Sequence, residues 1–262
     1  MPIPSPEEIL RHPAGWALFL DIDGTLIEMA PTPDAVVVSP ELPGILTGLA
    51  QTFGGAVALS TGRQVVDADR LLAPLQLTTC GVHGTEARTV PGGEILMLVP
   101  PVPSELIDAV IAMVREVPGI LIEQKALGLA VHYRHNPDAR PLLLRELAGV
   151  LRKFTDFTLY PGRRVLEIIP KGYSKGTALT WVMRLAPFKG RRPIMIGDDA
   201  GDQPAFSAAE KHGGFGLKVA GEHFSLEEAD FPDTTQVRSW LAKLAQVPAV
   251  AVRETSQLAG SR

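Results

Sequence analysis

Cysteine is almost absent from this 262-residue sequence, in which Cys80 is the single example. One cysteine excludes an internal disulfide and any metal site built from clustered thiolates. It is compatible with the reducing conditions of the cytosol, so a cytoplasmic location is the expectation. We interpret Cys80 as a small buried residue rather than a reactive thiol.

Long apolar segments and an excess of positive charge are also missing. The longest apolar runs, residues 16–20 and 95–102, are far too short to cross a bilayer, so we expect a soluble protein without a membrane partner. Lys and Arg number 25 against 29 Asp and Glu, and a net charge of -4 gives no general attraction for nucleic acid. An anionic ligand must therefore be held by local cations. We expect a monomer or a weak homo-oligomer.

Short apolar runs alternate with helical patterns in the first and last thirds of the chain. Each run has the length and composition of a strand buried on both faces of a parallel sheet. The runs are residues 17–20, 56–59, 77–82 and 193–196, and the helical patterns are residues 41–53, 65–75, 174–185 and 203–211. This alternation predicts a doubly wound, Rossmann-like α/β sheet with right-handed crossovers.

The middle third has a different order of elements: helix, two strands, helix, two strands. The segments are a helix over 104–117 with Ser104 as N-cap, strands over 120–123 and 129–134 joined tightly at Gly128, a helix over 141–154, and strands over 157–160 and 164–168. We predict an α/β domain (101–170) inserted into a core (1–100 and 171–262). Residues 248–262 have little periodicity and are expected to be mobile.

Two carboxylates stand directly after the first apolar run, in residues 21–25 (DIDGT). Side chains alternate along a strand, so Asp21 and Asp23 should project to the same side, and Gly24 lets the backbone turn beneath them. One carboxylate can attack phosphorus, while the other protonates the leaving oxygen and then activates water. The alternative is a turn in which both side chains cap backbone amides.

Three further segments follow in order: residues 58–63 (ALSTGR), 174–176 (SKG) and 196–202 (IGDDAGD). Taken singly, each has an ordinary structural explanation: a hydroxyl that shapes a turn, a solvated Lys175, and a helix cap at Asp202. An EF-hand is excluded, because its ligand spacing and terminal Glu are missing. Together with residues 21–25, the segments resemble the four motifs of the haloacid dehalogenase (HAD) phosphatases.

The resemblance implies a HAD core with an inserted α/β cap domain of the C2 type, and a role for each motif residue. Asp21 would be the nucleophile that forms an aspartyl-phosphate, and Asp23 the general acid and base. Thr61, in preference to Ser60, would bond the phosphoryl group, and Lys175 would neutralise it. Mg²⁺ would be held by Asp21, the carbonyl of Asp23 and Asp198, with Asp199 and Asp202 in support.

Three more segments resemble trehalose-6-phosphate phosphatases in particular: residues 81–86 (GVHGTE), 123–134 with EQK and AVHYR, and 165–170 (VLEIIP). The resemblance implies that Glu123, Lys125 and Glu167 bind sugar hydroxyls. The further substrate-binding candidates are Gly62, Arg63, His83 and Arg134. Without the resemblance, the alternatives are cross-strand charge pairs of Glu123 or Lys125 with Arg134, and a structural role for His83 and His132.

The resemblance spans residues 16–241 and implies hydrolysis of trehalose 6-phosphate. The alternatives are a phosphatase for another sugar phosphate, such as sucrose 6-phosphate or mannosyl-3-phosphoglycerate, and a non-catalytic sensor of sugar phosphates. The sequence departs from the family pattern on both sides of Asp202: Gly201 stands where the family has a hydroxyl residue, and Gln203 where it has a carboxylate.

Overall fold

The computed structural model describes residues 4–30, 36–125, 127–162 and 164–246. The tail expected to be mobile, residues 248–262, lies outside this described part. Two sheets organise the chain, one of seven strands and one of four. None of the helices in the described ranges has the length and apolar character needed to span a membrane.

The larger sheet is parallel except at one edge. Its strands are β1 (Trp16–Leu20), β2 (Val57–Ser60), β3 (Thr78–Gly81), β4 (Glu86–Arg88), β5 (Leu96–Met97), β10 (Arg192–Gly197) and β11 (Phe215–Lys218). They lie in the order β11-β10-β1-β2-β3-β4-β5, with β4 and β5 antiparallel. Because β1 pairs in parallel with both β2 and β10, the carboxyl ends of these three strands meet at one edge of the sheet.

Helices cover both faces of this sheet, and alternate residues of β1 serve the two apolar cores. Leu18 and Leu20 belong to one buried cluster, Ala17 and Phe19 to the other. The helices are α1 (Pro6–Arg11), α2 (Leu42–Thr52), α3 (Val65–Leu71), α6 (Lys175–Val182), α7 (Gln203–Lys211) and α8 (Thr234–Ala245). The predicted doubly wound sheet is confirmed, and we call this unit the core.

The smaller sheet is antiparallel and carries its own two helices, and we call this unit the cap. Its elements are α4 (Ser104–Val114), β6 (Leu121–Lys125), β7 (Gly128–His132), α5 (Arg140–Leu151), β8 (Phe157–Gly162) and β9 (Val165–Pro170). The strand order is β6-β7-β9-β8. A separate apolar cluster, to which Leu129, Leu143 and Ile168 belong, fills the space between sheet and helices.

Several predicted element ends are wrong. Ser104 is the first residue of α4 rather than its N-cap; Pro103 takes that position, and the Ser104 hydroxyl donates to Glu105 Oε2 instead. α3 ends at Leu71 rather than residue 75, because Pro74 lacks the N–H that a helix needs. β7 ends at His132, so Arg134 lies beyond the strand. The sequence pattern did not predict the short edge strands β4 and β5.

The contact between α6 and α7 leaves no room for a side chain at Gly176. A Cβ built there would lie 2.2 Å from the carbonyl oxygen of Pro204, a backbone atom. We expect Gly176→Ala to lower the free energy of unfolding by about 1–3 kcal/mol through overpacking. Gly149→Ala in α5 is the matched control, because nothing lies within 4 Å of its Cβ position. That variant should gain up to about 1 kcal/mol from helix propensity. Urea unfolding measures both, and equal midpoints for the two variants would contradict this packing.

Candidate active site

Three carboxylates and one lysine meet at the carboxyl edge of the larger sheet. Asp21 follows β1 and Asp198 follows β10, while Lys175 is the first residue of α6, whose N-cap is Ser174. Lys175 Nζ donates to Asp21 Oδ1 and to Asp202 Oδ1, each at 2.7 Å. The structure therefore brings together the predicted nucleophile, the predicted cation and two of the predicted metal-site acids.

This buried cluster contains more carboxylates than cations, and burial makes the imbalance costly. Burial raises the pKa of Asp21 well above its usual value, and Lys175 only partly opposes this. Burial, and then repulsion by Asp202, raise the pKa of Asp198 to about 7. Burial opposes the charge of Lys175, but Asp202 and Asp21 outweigh it and raise the lysine pKa. One lysine does not compensate three buried carboxylates, so the cluster favours a further cation.

The donor set suits a metal ion with a preference for oxygen. One carboxylate oxygen each from Asp21, Asp198 and Asp202 lie within 4.8 Å of one another. Asp202 already accepts from the backbone amides of Asp198 and Asp199 through Oδ2, at 3.0 and 3.1 Å, and from Lys175 through Oδ1. Asp21 and Asp198 are therefore better placed as direct ligands, and Asp202 as support.

Gly24 makes room for the Asp198 carboxylate. Its φ is +81°, and a Cβ built there would lie 2.1 Å from Asp198 Oδ2. Any other residue would meet both a backbone penalty and a collision with that carboxylate. Thr25, on the same turn, donates its hydroxyl to Asp198 Oδ1 at 3.3 Å. The turn predicted after the first strand thus fixes an acid from a distant strand.

The Asp23 carboxylate lies outside the acidic cluster. Arg63 Nε donates to Asp23 Oδ2 and Arg63 Nη2 to Oδ1, both at 2.6 Å. The two acids of the DIDGT segment therefore have different cationic partners: a guanidinium from the β2–α3 loop pairs with Asp23, and the Lys175 ammonium bonds Asp21.

The two hydroxyl candidates at the end of β2, Ser60 and Thr61, are both buried. The Thr61 hydroxyl oxygen accepts from the Arg63 backbone amide at 3.1 Å. Within the described residues its own proton has no acceptor, so it remains available to a phosphoryl oxygen. Thr61 thus stays the predicted phosphoryl contact, and its oxygen is held in place by the Arg63 amide.

Two predicted sugar-binding residues of the cap contact the core. Lys125 Nζ donates to the carbonyl oxygen of Gly62 and to Glu167 Oε1, each at 2.9 Å, and Glu167 Oε2 contacts His83 Nε2. Burial opposes the charge of Glu167, but His83 and Lys125 hold its pKa well below the usual range. Predicted substrate-binding residues from both units thus form one polar bridge.

Glu123 and Arg134 have other partners than each other. Glu123 Oε2 pairs with His132 Nε2 at 2.9 Å, diagonally across β6 and β7. Arg134 Nη1 donates to the carbonyl oxygen of Ala30 in the core at 2.8 Å. The alternative charge pairs with Arg134 are therefore wrong, because Arg134 lies past the end of β7. Of the three charged residues predicted to bind the sugar, Glu123, Lys125 and Glu167, Glu123 has the most accessible side chain.

The remaining acidic-loop predictions have mixed outcomes. Asp199 Oδ1 accepts from the amide of Ala200 at 2.6 Å, while Lys175 bonds Asp202. The helix-capping turn predicted at Asp202 is present: Asp202 is the N-cap residue of α7. Its side chain makes no capping bond to α7, but it accepts from the Asp199 amide in a capping box of the short 3₁₀ turn over residues 200–202. Gln203 is exposed and lies 3.4 Å from His223, measured between the two Nε2 atoms.

Tyr160 on β8 is a neighbour of this site that the sequence analysis missed. Its ring packs against His83, with 5.6 Å between ring centroids. Strand register puts it directly opposite Glu167. Its strand was predicted, but the pairing that aligns Tyr160 with Glu167 has no local sequence signal.

The comparisons agree with this geometry. The model of the family described as trehalose-phosphatase matches residues 19–248. A probable trehalose-phosphate phosphatase of Sinorhizobium fredii is 39% identical over 88% of both chains. The trehalose-6-phosphate phosphatase of Escherichia coli is 35% identical over 87% of this chain and 86% of its own. The C-terminal domain of the C. albicans trehalose-6-phosphate phosphatase shares the fold, with a TM-score of 0.78 at 19% identity, covering 94% of this chain and 98% of that one.

The parallel core, the cap and the aspartate–lysine cluster define a phosphatase of the HAD type. Within that class, the chain belongs to the trehalose-phosphatase family. The resemblance described from the sequence is confirmed.

The raised pKa of Asp198 predicts how pH affects the metal-free protein. An acid whose pKa rises from 3.8 to about 7 on folding binds its proton more tightly when folded, so stability falls as pH increases between these values. In the presence of a chelator above pH 7, Asp198→Asn should therefore melt at a higher temperature than the native protein. The difference should shrink towards pH 4, as thermal melts across this range can show. The exposed Asp108→Asn is the control, and parallel curves for native protein and Asp198→Asn would contradict the prediction.

Proposed function

We propose that this protein hydrolyses trehalose 6-phosphate to trehalose and phosphate with Mg²⁺ as cofactor. The observation that carries the proposal is the buried cluster of Asp21, Lys175, Asp198 and Asp202 in a chain of this family. The cluster supplies a nucleophile and fixed charges for a transferring phosphoryl group. The substrate is a small molecule. We propose that the protein is located in the cytoplasm.

In the first half-reaction, Asp21 attacks phosphorus and the bond to the sugar oxygen breaks. The Asp21 oxygen not bonded to Lys175 is the attacking atom. Lys175 remains beside Asp21 and balances charge on the phosphoryl oxygens, and the Thr61 hydroxyl donates to one of them. Asp23 gives a proton to the departing sugar oxygen.

In the second half-reaction, water attacks the phosphorus of the aspartyl-phosphate. Asp23, now without its proton, takes a proton from that water, and Asp21 is released with inorganic phosphate. Both steps need the Asp23 carboxylate to be free of its two-point pairing with Arg63. We propose that a bound substrate accepts one of the two hydrogen bonds that Arg63 donates to Asp23. This exchange agrees with the substrate-binding role implied for Arg63.

Mg²⁺ fits the residues present, because hard carboxylate oxygens at few positions leave room for water and substrate oxygens. Asp21, Asp198 and the carbonyl of Asp23 would hold it, with Asp199 and Asp202 in support. Bound there, it supplies positive charge that stabilises the transferring phosphoryl group.

We propose that residues 101–170 act as a cap domain that binds the sugar. Glu123, Lys125 and Glu167 accept from or donate to sugar hydroxyls, with Gly62, Arg63, His83 and Arg134 nearby. In the structure, Lys125 donates to the carbonyl oxygen of Gly62 and Glu167 pairs with His83, both in the core. Hydroxyls of a neutral disaccharide can replace such contacts without changing net charge. The intact cluster argues against a sensor.

Replacement of the nucleophile tests the chemistry. Asp21→Asn should lower turnover of trehalose 6-phosphate by roughly 10³-fold or more, because the amide is a very poor nucleophile. Phosphate release with Mg²⁺ measures this beside glucose 6-phosphate and sucrose 6-phosphate. The exposed Asp108→Asn serves as control. Undiminished turnover in Asp21→Asn would refute the mechanism, and faster release from sucrose 6-phosphate would refute the substrate.

Replacement of Glu123 tests the sugar contact separately from the chemistry. Glu123→Gln keeps the shape but loses a charged acceptor, so kcat/KM for trehalose 6-phosphate should fall about tenfold. Hydrolysis of p-nitrophenyl phosphate, which has no sugar, should be unaffected. Glu116→Gln, an exposed cap position, is the matched control. An equal loss with both substrates would count against a role in sugar binding.

A further inference from the structure

Tyr160 belongs to a row of side chains that crosses the cap sheet. Glu123 on β6 pairs with Ala130 on β7, Ala130 with Glu167 on β9, and Glu167 with Tyr160 on β8. Residues directly opposite each other in a sheet project from the same face. Tyr160 therefore shares its face with the two acids to which the proposed function gives sugar contacts.

This face of β8 lies over the acidic loop of the core. Gly162 is two residues further along the strand and so points the same way as Tyr160. A Cβ built at Gly162 would lie 3.7 Å from Asp199 Oδ2. The side chain of Tyr160 is therefore directed at the cleft between cap and core.

Two core residues hold the ring of Tyr160. It packs against His83, with ring centroids 5.6 Å apart and planes inclined by 33°. Gly201 of the acidic loop lies beside both rings: a Cβ built there would be in van der Waals contact with each, 3.8 Å from Tyr160 Cε1 and 3.8 Å from His83 Cε1. The ring thus occupies a defined slot between the His83 turn and the acidic loop.

The phenol hydroxyl remains available to a ligand. It has no hydrogen-bond partner among the described residues, whereas a tyrosine hydroxyl in a half-buried position usually has one. Burial raises the pKa of Tyr160, so the group is a neutral donor near neutral pH. A neutral donor next to Glu167, in the same row as Glu123, complements the acceptor groups of that row.

We propose that Tyr160 is a specificity residue of this active site, whose hydroxyl donates a hydrogen bond to the sugar part of the substrate. The inference rests on the proposed function, and it adds Tyr160 to the cap residues already proposed to contact the sugar. His83 and Gly201 position the ring, and Tyr160 brings the sugar contact next to the phosphoryl site.

Tyr160→Phe tests the hydroxyl without removing the ring. Loss of one neutral hydrogen bond should raise KM for trehalose 6-phosphate about three- to tenfold. The kcat/KM for p-nitrophenyl phosphate should stay within about twofold of the native value, because this substrate offers no sugar hydroxyl. Tyr173→Phe is the matched control: it loses a hydrogen bond to the carbonyl of Leu98, at 3.1 Å, and should leave KM unchanged.

Tyr160→Ala removes the ring as well, and should raise KM further than Tyr160→Phe. An unchanged KM in Tyr160→Phe would overturn the proposal, as would equal losses with both substrates, which would mean a role in the phosphoryl site or in folding. If Tyr160→Ala does not fold, the Phe variant alone decides. If the native enzyme acts on a different sugar phosphate, the proposed substrate is wrong. The effect of Tyr160→Phe on that substrate is then compared with its effect on p-nitrophenyl phosphate. A native enzyme active on p-nitrophenyl phosphate but on no sugar phosphate would overturn both.

Discussion

The structure depends on the need to balance three buried carboxylates with one buried lysine. Asp21, Asp198 and Asp202 come from separate positions along the chain, and Lys175 bonds two of them directly. Such a cluster is costly in the absence of added positive charge, and the burial that raises the pKa values of Asp21 and Asp198 expresses that cost. The same imbalance is what a phosphatase needs, because it draws a divalent cation to the place where a phosphoryl group is transferred.

Several features of the core serve this one place. The parallel pairing of β1 with β2 and β10 brings their carboxyl ends to one edge. Gly24 has no side chain to collide with Asp198. The backbone amides of Asp198 and Asp199 donate to the second carboxylate oxygen of Asp202. A carboxylate with both oxygens bonded is fixed in position, so the lysine and the metal-site acids keep their geometry before a substrate arrives.

The cap contacts this site mainly through polar groups and keeps a separate apolar cluster. Lys125 reaches the carbonyl of Gly62, Glu167 reaches His83, and Arg134 reaches the carbonyl of Ala30. Water and sugar hydroxyls can replace such contacts at little cost, whereas an apolar interface would have to be exposed on opening. A cap held by exchangeable polar contacts is suited to open and close over a bound ligand, as the proposed sugar-binding role requires.

The sequence by itself determined the order of strands and helices in the core, the four motifs and the family. These signals are local: an apolar run, a turn glycine and an acid lie within a few residues of one another. It did not predict the edge strands β4 and β5, which are two or three residues long, nor the true ends of α3 and β7. Only the tertiary structure decided which charges meet. The pairing of Asp23 with Arg63 and the bridge from Lys125 and Glu167 to Gly62 and His83 join residues far apart in the chain. Tyr160 and Glu167 are close in sequence, but the packing of Tyr160 against His83 joins the cap to the core. Such contacts depend on strand register and on how the cap sits on the core, and both follow from the packing of the whole molecule.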